Sequence, residues 1–223
     1  MYAIVKDGSI TATGTIKQLF PNTSFAGGTA NEDFKTAEGI MDIVEGERKD
    51  QKYYFVTQGN IELVDGEIWD KDFDNGEGKD KGKMVAAKIP TQKYTNTAKR
   101  LVDEDAKDPD TGAQLYVQVY DPDYDNGEGN EKGKMVDTSE KLVNKGLKTV
   151  MTTEVKDTAN KLLAKTDWTV IRKAERDVAI PSATATYRAA VITECTRLET
   201  EIANAANVDA LATVMAGQDW PED

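Results

Sequence analysis

Acidic residues at alternate positions are the first side chains of this sequence that could do chemistry. They form two groups of four, Asp70, Asp72, Asp74 and Glu77, and Asp121, Asp123, Asp125 and Glu128. Alternating Asp residues around a glycine are how short loops supply the about six to eight oxygens that Ca²⁺ takes. The spacing departs from an EF-hand, because position twelve counted from Asp70 is Lys81. A calcium site is therefore one hypothesis, and a β-hairpin with an acidic tip is the other.

The remaining composition removes most catalytic chemistry. The chain has no histidine and one cysteine, Cys195, which excludes Ser-His-Asp and Cys-His catalysis, histidine or thiolate zinc sites and an internal disulfide. Cys195 falls within a helical pattern and is expected to fill core space. A glycosidase needs two carboxylates at a fixed separation in a cleft, and no cleft is indicated. We expect no enzymatic activity and no cofactor other than Ca²⁺.

The charge of the chain limits its partners. The net charge is −12, and residues 65–140 hold 19 acidic and 11 basic residues. This excess makes binding to nucleic acid or to anionic membranes unfavourable. No apolar run approaches the roughly 18 residues that a membrane span requires, and the start, MYAIVKDGSI, has no signal-peptide pattern. We therefore expect neither nucleic acid nor membrane as a partner.

A second set of candidate residues surrounds Trp168. Trp168 and Arg172 are four positions apart and share a helix face, and Arg172 can pair with Glu175 one turn on. One interpretation is an intrahelical support with Trp168 as a core anchor. The other is a partner-binding face, because Trp and Arg are enriched among interface hot spots.

The elements that must position these residues begin with β-structure. Residues 1–16 read as a hairpin with a turn at Lys6-Asp7-Gly8, and Asn31 can cap a short helix that ends at Gly39. Three β-type runs follow, with turns predicted at Gly46, Gly59 and Asp65-Gly66. We assign residues 1–70 to a small antiparallel β domain.

The acidic middle, residues 71–140, contains a duplicated segment. Residues 72–85 recur as residues 123–136 with eleven of fourteen positions identical, and the likeness extends back to Ile68-Trp69-Asp70 and Val119-Tyr120-Asp121. Two copies are too few for a solenoid. We expect an insertion with two equivalent β-hairpins that could pair with each other.

From residue 141 the apolar period becomes helical. The first stripe is Leu147, Val150, Met151, Val155, Ala159, Leu162 and Leu163. The next helix is capped by Thr166 or Asp167, with Trp168, Ile171 and Ala174 predicted on its inner face. Two more helices follow, from Pro181 and from Asn207 or Asp209. The predicted fold class is α+β, with an N-terminal small antiparallel β domain, inserted β-hairpin repeats and a C-terminal antiparallel helical bundle over residues 141–223.

The helical part resembles a known family. Its segments are Thr166-Asp167-Trp168, Arg172-Lys173-Ala174-Glu175, Ile180-Pro181, Tyr187-Arg188 and Trp220-Pro221. In this order they resemble the C-terminal helical domain of the phage tail-fibre assembly chaperone-like family. The likeness covers residues 146–221, extends loosely to residues 1–70 and leaves the acidic repeat unexplained.

The resemblance implies an accessory protein that assists folding or assembly of tail fibres and can remain bound to them. The expected partner is a fibre or other tail component, with a homo-oligomer left open, and the expected location is the host cytoplasm during assembly. The alternatives are a structural virion component of the tail or fibre tip and a calcium-stabilised binding module. Partner-binding candidates are Trp168, Arg172, Glu175, Tyr187, Arg188 and Trp220.

Overall fold

The chain is mixed α+β and divides into two compact units, Met1–Thr97 and Ala98–Asp223. A computed structural model describes residues 1–25, 29–74, 81–129 and 132–222. The boundary between the units falls inside the stretch 71–140. The two copies of the repeat therefore belong to different units.

The first unit begins with a three-stranded antiparallel sheet. Strands β1 (Tyr2–Lys6), β2 (Ser9–Gly14) and β3 (Ile40–Asp42) lie in the order β2-β1-β3. Helix α1 spans Ile16–Leu19 and helix α2 spans Glu32–Glu38. The Asn31 side chain accepts a hydrogen bond from the Phe34 amide at 2.8 Å, and Gly39 ends α2 in the left-handed conformation. The predicted hairpin and short helix are both confirmed.

A small aromatic core holds this sheet against its two helices. Ile16, Ala30 and Ile40 are buried, and five partly buried side chains pack against them: Tyr2, Ile4, Phe20, Phe25 and Phe34. The Phe34 ring meets Phe20 and Phe25 edge-on, with ring centroids 5.1 and 5.0 Å apart. Edge-to-face geometry is a favoured arrangement of aromatic pairs.

A long β-ribbon completes the first unit. Strands β4 (Val44–Glu45), β5 (Tyr54–Asp74) and β6 (Lys81–Ala98) form a sheet in the order β4-β6-β5. Gln58 meets Gln92, and Asp65 meets Lys88, so β5 and β6 run in opposite directions. Strand β4 pairs parallel with β6. This sheet is therefore mixed and extends beyond residue 70, so the prediction of a purely antiparallel domain over residues 1–70 is wrong.

The turns predicted at Gly59 and Asp65-Gly66 are wrong, because β5 runs straight through them. The buried Gln92 side chain donates to the Gly59 carbonyl at 2.7 Å, and Gly66 lies beneath the Ile89 side chain. These glycines make room for close cross-strand contacts, which is a second role of glycine within strands.

The second unit starts with short strands and another ribbon. Strands β7 (Glu104–Asp105) and β10 (Val143–Asn144) pair with each other, and β8 (Tyr116–Asp125) pairs antiparallel with β9 (Lys132–Lys141). Each copy of the repeat thus pairs within its own sheet. The predicted Asp-Pro-Asp-Thr-Gly turn is present, and its hydrogen bonds from Thr111 lower the pKa of the Asp108 carboxyl.

The described residues after β10 form four helices. They are α3 (Leu147–Ala164), α4 (Asp167–Arg176), α5 (Ser182–Asn204) and α6 (Val208–Ala216). Lys148 donates to the Ala203 carbonyl and Arg188 to the Leu163 carbonyl, so α3 and α5 run in opposite directions. No helix in the described part of the chain is long and apolar enough to cross a membrane.

The apolar stripes of these helices meet in a common core. Its buried residues are Leu147, Met151, Val155, Ala159, Val191, Leu198, Ile202, Ala205, Val208, Leu211 and Met215. The predicted stripe of α3 is confirmed at its buried positions, but Val150 is exposed. The start of α3 is held by Asp103, whose carboxylate accepts the Gly146 amide at 2.7 Å, and this bond lowers the pKa of Asp103.

Helix α4 buries the face opposite to the one that the sequence predicted. Thr169 is buried, and its hydroxyl donates to the Thr166 carbonyl at 2.7 Å. The three residues predicted to face inward are all exposed: Trp168, Ile171 and Ala174. The predicted inner face is therefore wrong, because a small hydroxyl side chain with an internal partner takes the covered position.

Candidate partner-binding surfaces

The exposed face of α4 carries two large apolar side chains. Trp168 and Ile171 are each 56% exposed, and a spacing of three residues puts them on one side of the helix. The interpretation of Trp168 as a core anchor is therefore wrong. Large exposed apolar groups on a charged protein mark candidate sites of protein–protein contact.

Arg172 contacts the ring of Trp168 and does not pair with Glu175. Its guanidinium carbon lies 4.9 Å from the centroid of the Trp168 ring, which is cation–π geometry. No ion pair joins Arg172 to Glu175 among the described side chains, and the predicted pair is wrong. Glu175 is exposed. The Trp168 ring is thus restrained on one side while much of it stays open to solvent.

Arg188 fixes the junction between α3 and α4. Its Nη1 lies within hydrogen-bond distance of three oxygens: the Leu163 carbonyl at 2.9 Å, Thr166 Oγ1 at 2.7 Å and Asp167 Oδ1 at 2.9 Å. One cation thus satisfies a carbonyl at the end of α3 and an acidic residue in the first turn of α4. Its neighbour Tyr187 is half-buried. Arg188 therefore positions α4.

A buried carboxylate ties the residues after α6 to α5. Glu194 is 8% exposed and accepts hydrogen bonds from Arg197 Nε, Arg197 Nη2 and the Asp219 amide at 2.8, 2.6 and 2.8 Å. The Arg197 pair, with help from the Asp219 amide, holds the pKa of Glu194 below its usual range. The half-buried Trp220 donates from Nε1 to Gln218 in the same segment.

The sequence patterns described above did not single out this cluster. The available signal was the spacing of Glu194, Arg197 and Glu201, because residues three and four apart on a helix can form ion pairs.

Cys195 is half-buried beside this cluster. Its Sγ lies 3.3 Å from Glu199 Oε1. Burial and the Glu199 carboxylate raise the pKa of the thiol. The thiolate, which is the nucleophilic form, is disfavoured at this position.

Acidic residues of the repeat accept hydrogen bonds from backbone amides two residues further along the chain. Asp70 Oδ1 accepts the Asp72 amide and Asp121 Oδ1 accepts the Asp123 amide, both at 3.0 Å. Asp125 Oδ1 likewise accepts the Gly127 amide. The Asp125 bond lies at the end of β8 and is of the kind by which Asp stabilises a turn, whereas Asp70 and Asp121 lie within strands.

Some residues of the predicted calcium site lie outside the residues that the structure describes. Glu77 and the side chain of Asp74 are outside the described residues, and Glu128 is exposed. Within the described ranges, no three acidic or cysteine side chains converge on a point that could hold a metal ion. A calcium site in the repeat therefore stays a prediction.

The two copies of the repeat share a contact between an aromatic ring and a glycine. Gly82 and Gly133 have φ of +84° and +76° and lie against the rings of Trp69 and Tyr120. A Cβ at either glycine would collide with the ring above it. The ring-over-glycine contact therefore explains why both copies keep an aromatic residue and a glycine at these positions.

A second shared contact lies beside the first. Lys83 Nζ is 5.1 Å from the Phe73 ring centroid, and Lys134 Nζ is 5.1 Å from that of Tyr124. These residues occupy equivalent positions in the two copies. The duplication in sequence is thus also a duplication of side-chain contacts.

Comparisons with known protein families, with curated proteins and with solved structures find no match to this chain. The phage resemblance therefore rests on the sequence segments around Trp168, Pro181, Arg188 and Trp220.

Proposed function

We propose that this protein is a bacteriophage tail-fibre accessory protein that assists the folding or assembly of tail fibres and can remain bound to them. The observation that carries the proposal is the exposed Trp168–Ile171 face of α4. It lies in the segment that resembles the tail-fibre assembly chaperone-like family.

The Trp168–Ile171 face has the chemistry of a binding anchor. Trp and Arg are enriched among residues that dominate interface energies, and Trp168 is already restrained by Arg172. A restrained ring loses less conformational entropy on binding than a free one. Arg188 fixes the start of α4, so the surface is presented on a positioned helix.

The partner in this proposal is a fibre subunit before its β-strands are paired. Unpaired β regions expose apolar surface and strand edges that favour aggregation. A helical face that covers such surface protects the subunit until it meets its partners. We assign this task to the C-terminal helical bundle. The second copy of the repeat lies in the same unit as this bundle, whereas the N-terminal β domain and the first copy lie in the other unit.

Co-expression with the neighbouring fibre gene tests the proposal. We expect the yield of soluble fibre trimer to fall when this protein is omitted, and to fall similarly with the variant Trp168→Ser/Ile171→Ser. The matched control is Val150→Ser, which removes an exposed apolar side chain from α3. Equal trimer yield with and without this protein would refute the chaperone role.

A structural virion component of the tail or fibre tip is the second candidate. It is favoured by the exposed aromatic and methionine side chains on both ribbons, since display surfaces carry such groups. Mass spectrometry of purified particles separates the two candidates. A structural component is present in fixed ratio to the tail proteins, whereas a chaperone that is released is absent.

A further inference from the structure

The two ribbons expose apolar side chains at equivalent positions to a similar extent. Trp69 and its equivalent Tyr120 are 63% and 62% exposed, and Met84 and its equivalent Met135 are 45% and 47% exposed. Tyr120 lies directly opposite Met135 in the ladder of β8 and β9. The repeat therefore provides two copies of one surface made of an aromatic ring and a methionine.

The β8–β9 ribbon has little to stabilise it within its own unit. The sheet has two strands, and none of the described residues of β8 and β9 is buried. A two-stranded ribbon without a covered face is marginally stable in water. Covering Tyr120 and Met135 would remove apolar surface from water and stabilise the ribbon.

Charge is divided between the strands of each ribbon. Strand β8 carries Asp121, Asp123 and Asp125 and no basic residue, whereas β9 has Lys132 and Lys134 at the same end. The first copy repeats the arrangement, since β6 has four lysines and no acidic residue, and β5 has six acidic residues and one lysine. At this end each ribbon therefore has an acidic strand and a basic strand, whereas further along β9 also carries Asp137 and Glu140.

This division makes the ribbons complementary to one another. A basic strand placed beside the acidic strand of another ribbon brings opposite charges together, while two acidic strands or two basic strands would repel. Pro122 removes one amide from the edge of β8, so the contact relies on side chains more than on a continued backbone ladder.

We propose that the occupant of the ribbon surface is a second copy of this chain. The basic strand of one ribbon lies beside the acidic strand of the other, and the exposed aromatic and methionine side chains are covered in the contact. This self-association goes beyond the proposed fibre function and uses a different surface from α4.

Sedimentation velocity over a wide range of protein concentration tests the self-association. We expect a reversible monomer–oligomer equilibrium that weakens with added salt, because the charges are exposed and screened. The variant Met84→Thr/Met135→Thr removes apolar surface but keeps residues that favour strands. We expect its dissociation constant to rise by about tenfold or more.

Charge reversal gives an independent test with its own rescue. Asp123→Lys alone and Lys132→Glu alone are expected to weaken association, and an equimolar mixture of the two variants is expected to regain it. Rescue in the mixture cannot arise from misfolded chains, and circular dichroism checks each variant separately. The matched control is Trp168→Ser/Ile171→Ser, which should leave the dissociation constant unchanged.

A wild-type chain that stays monomeric at every concentration would overturn the inference. So would a dissociation constant that neither the methionine variant nor the charge reversals change, or a charge-reversed mixture that fails to associate. Since fibre trimer yield is measured separately with the α4 variant, failure of self-association is distinguishable from failure of the proposed function.

Discussion

Removal of the buried Glu194 carboxylate should destabilise the helical unit by a predictable amount. Glu194 receives two hydrogen bonds from Arg197 and one from the Asp219 amide. A hydrogen bond to a charged group contributes about 1.5–3 kcal/mol in proteins. The Arg197 side chain is more than a third exposed, so solvent screens the ion pair and the sum must be discounted. We expect Glu194→Ala to lower the free energy of unfolding by about 2–3 kcal/mol.

The Glu194→Gln variant separates charge from hydrogen bonding. Its amide oxygen can still accept the Asp219 amide, while the charge is lost. We therefore expect a loss of about 1 kcal/mol. The control is Glu201→Ala, which removes an exposed partner of Arg197 and should cost no more than about 0.5 kcal/mol.

The pH dependence of the same comparison checks its electrostatic origin. The folded-state pKa of Glu194 lies below its ordinary value of 4.5, so this carboxylate contributes stability that is fully present above pH 4.5. That contribution is lost as the pH falls through the folded-state pKa. The difference between wild type and Glu194→Gln should therefore be constant above pH 4.5 and shrink below it.

Urea unfolding followed by far-ultraviolet circular dichroism is the assay, because the four long helices all lie in the second unit. A loss for Glu194→Ala within about 0.5 kcal/mol, the range of ordinary surface substitutions, would refute the assignment of a stabilising cluster. A pH-independent difference would refute its electrostatic origin.

Three further outcomes are expected. Arg188→Ala should lower the free energy of unfolding by about 1–3 kcal/mol in the same assay, because it leaves oxygens at the α3–α4 junction without their cation; an unchanged value would contradict its positioning role. Gly133→Ala should lower hydrogen-exchange protection in the β8–β9 ribbon more than Gly127→Ala does, since both have positive φ but only Gly133 lies under the Tyr120 ring; equal effects would remove the ring contact as the cause. If the repeat binds calcium, added Ca²⁺ should raise the melting temperature and a chelator should reverse the rise, whereas an unchanged melting temperature would count against the site.

Local signals in the sequence were sufficient for much of the secondary structure. Asn31 and Asn207 begin helices by accepting an amide hydrogen bond from three residues on, and Gly39 ends α2 with positive φ. These features depend on neighbours within one helical turn, so they can be predicted without knowledge of the tertiary structure. The duplicated segment was visible for the same reason, because equal residues at a fixed offset form equal contacts.

The candidate surface on α4 was only partly predictable. The sequence singled out Trp168 and Arg172 and placed them on one face. It did not determine whether that face is buried or exposed. The burial of Thr169 and the attachment of α4 through Arg188 depend on residues far away in the chain. Amphipathic spacing defines a face, but the neighbour that covers it comes from another element.

By itself, then, the sequence determined the helix boundaries at capped ends, the duplication, the lack of histidine chemistry and the acidic charge of the middle region. The tertiary structure alone decided that β5 continues through Gly59 and Gly66, that Glu194 holds the segment after α6, and that Trp168 lies in solvent. The physical reason is the range of the interactions. Caps and turns are satisfied by residues a few positions away, whereas burial and cross-strand contacts are settled by side chains that only the folded chain brings together.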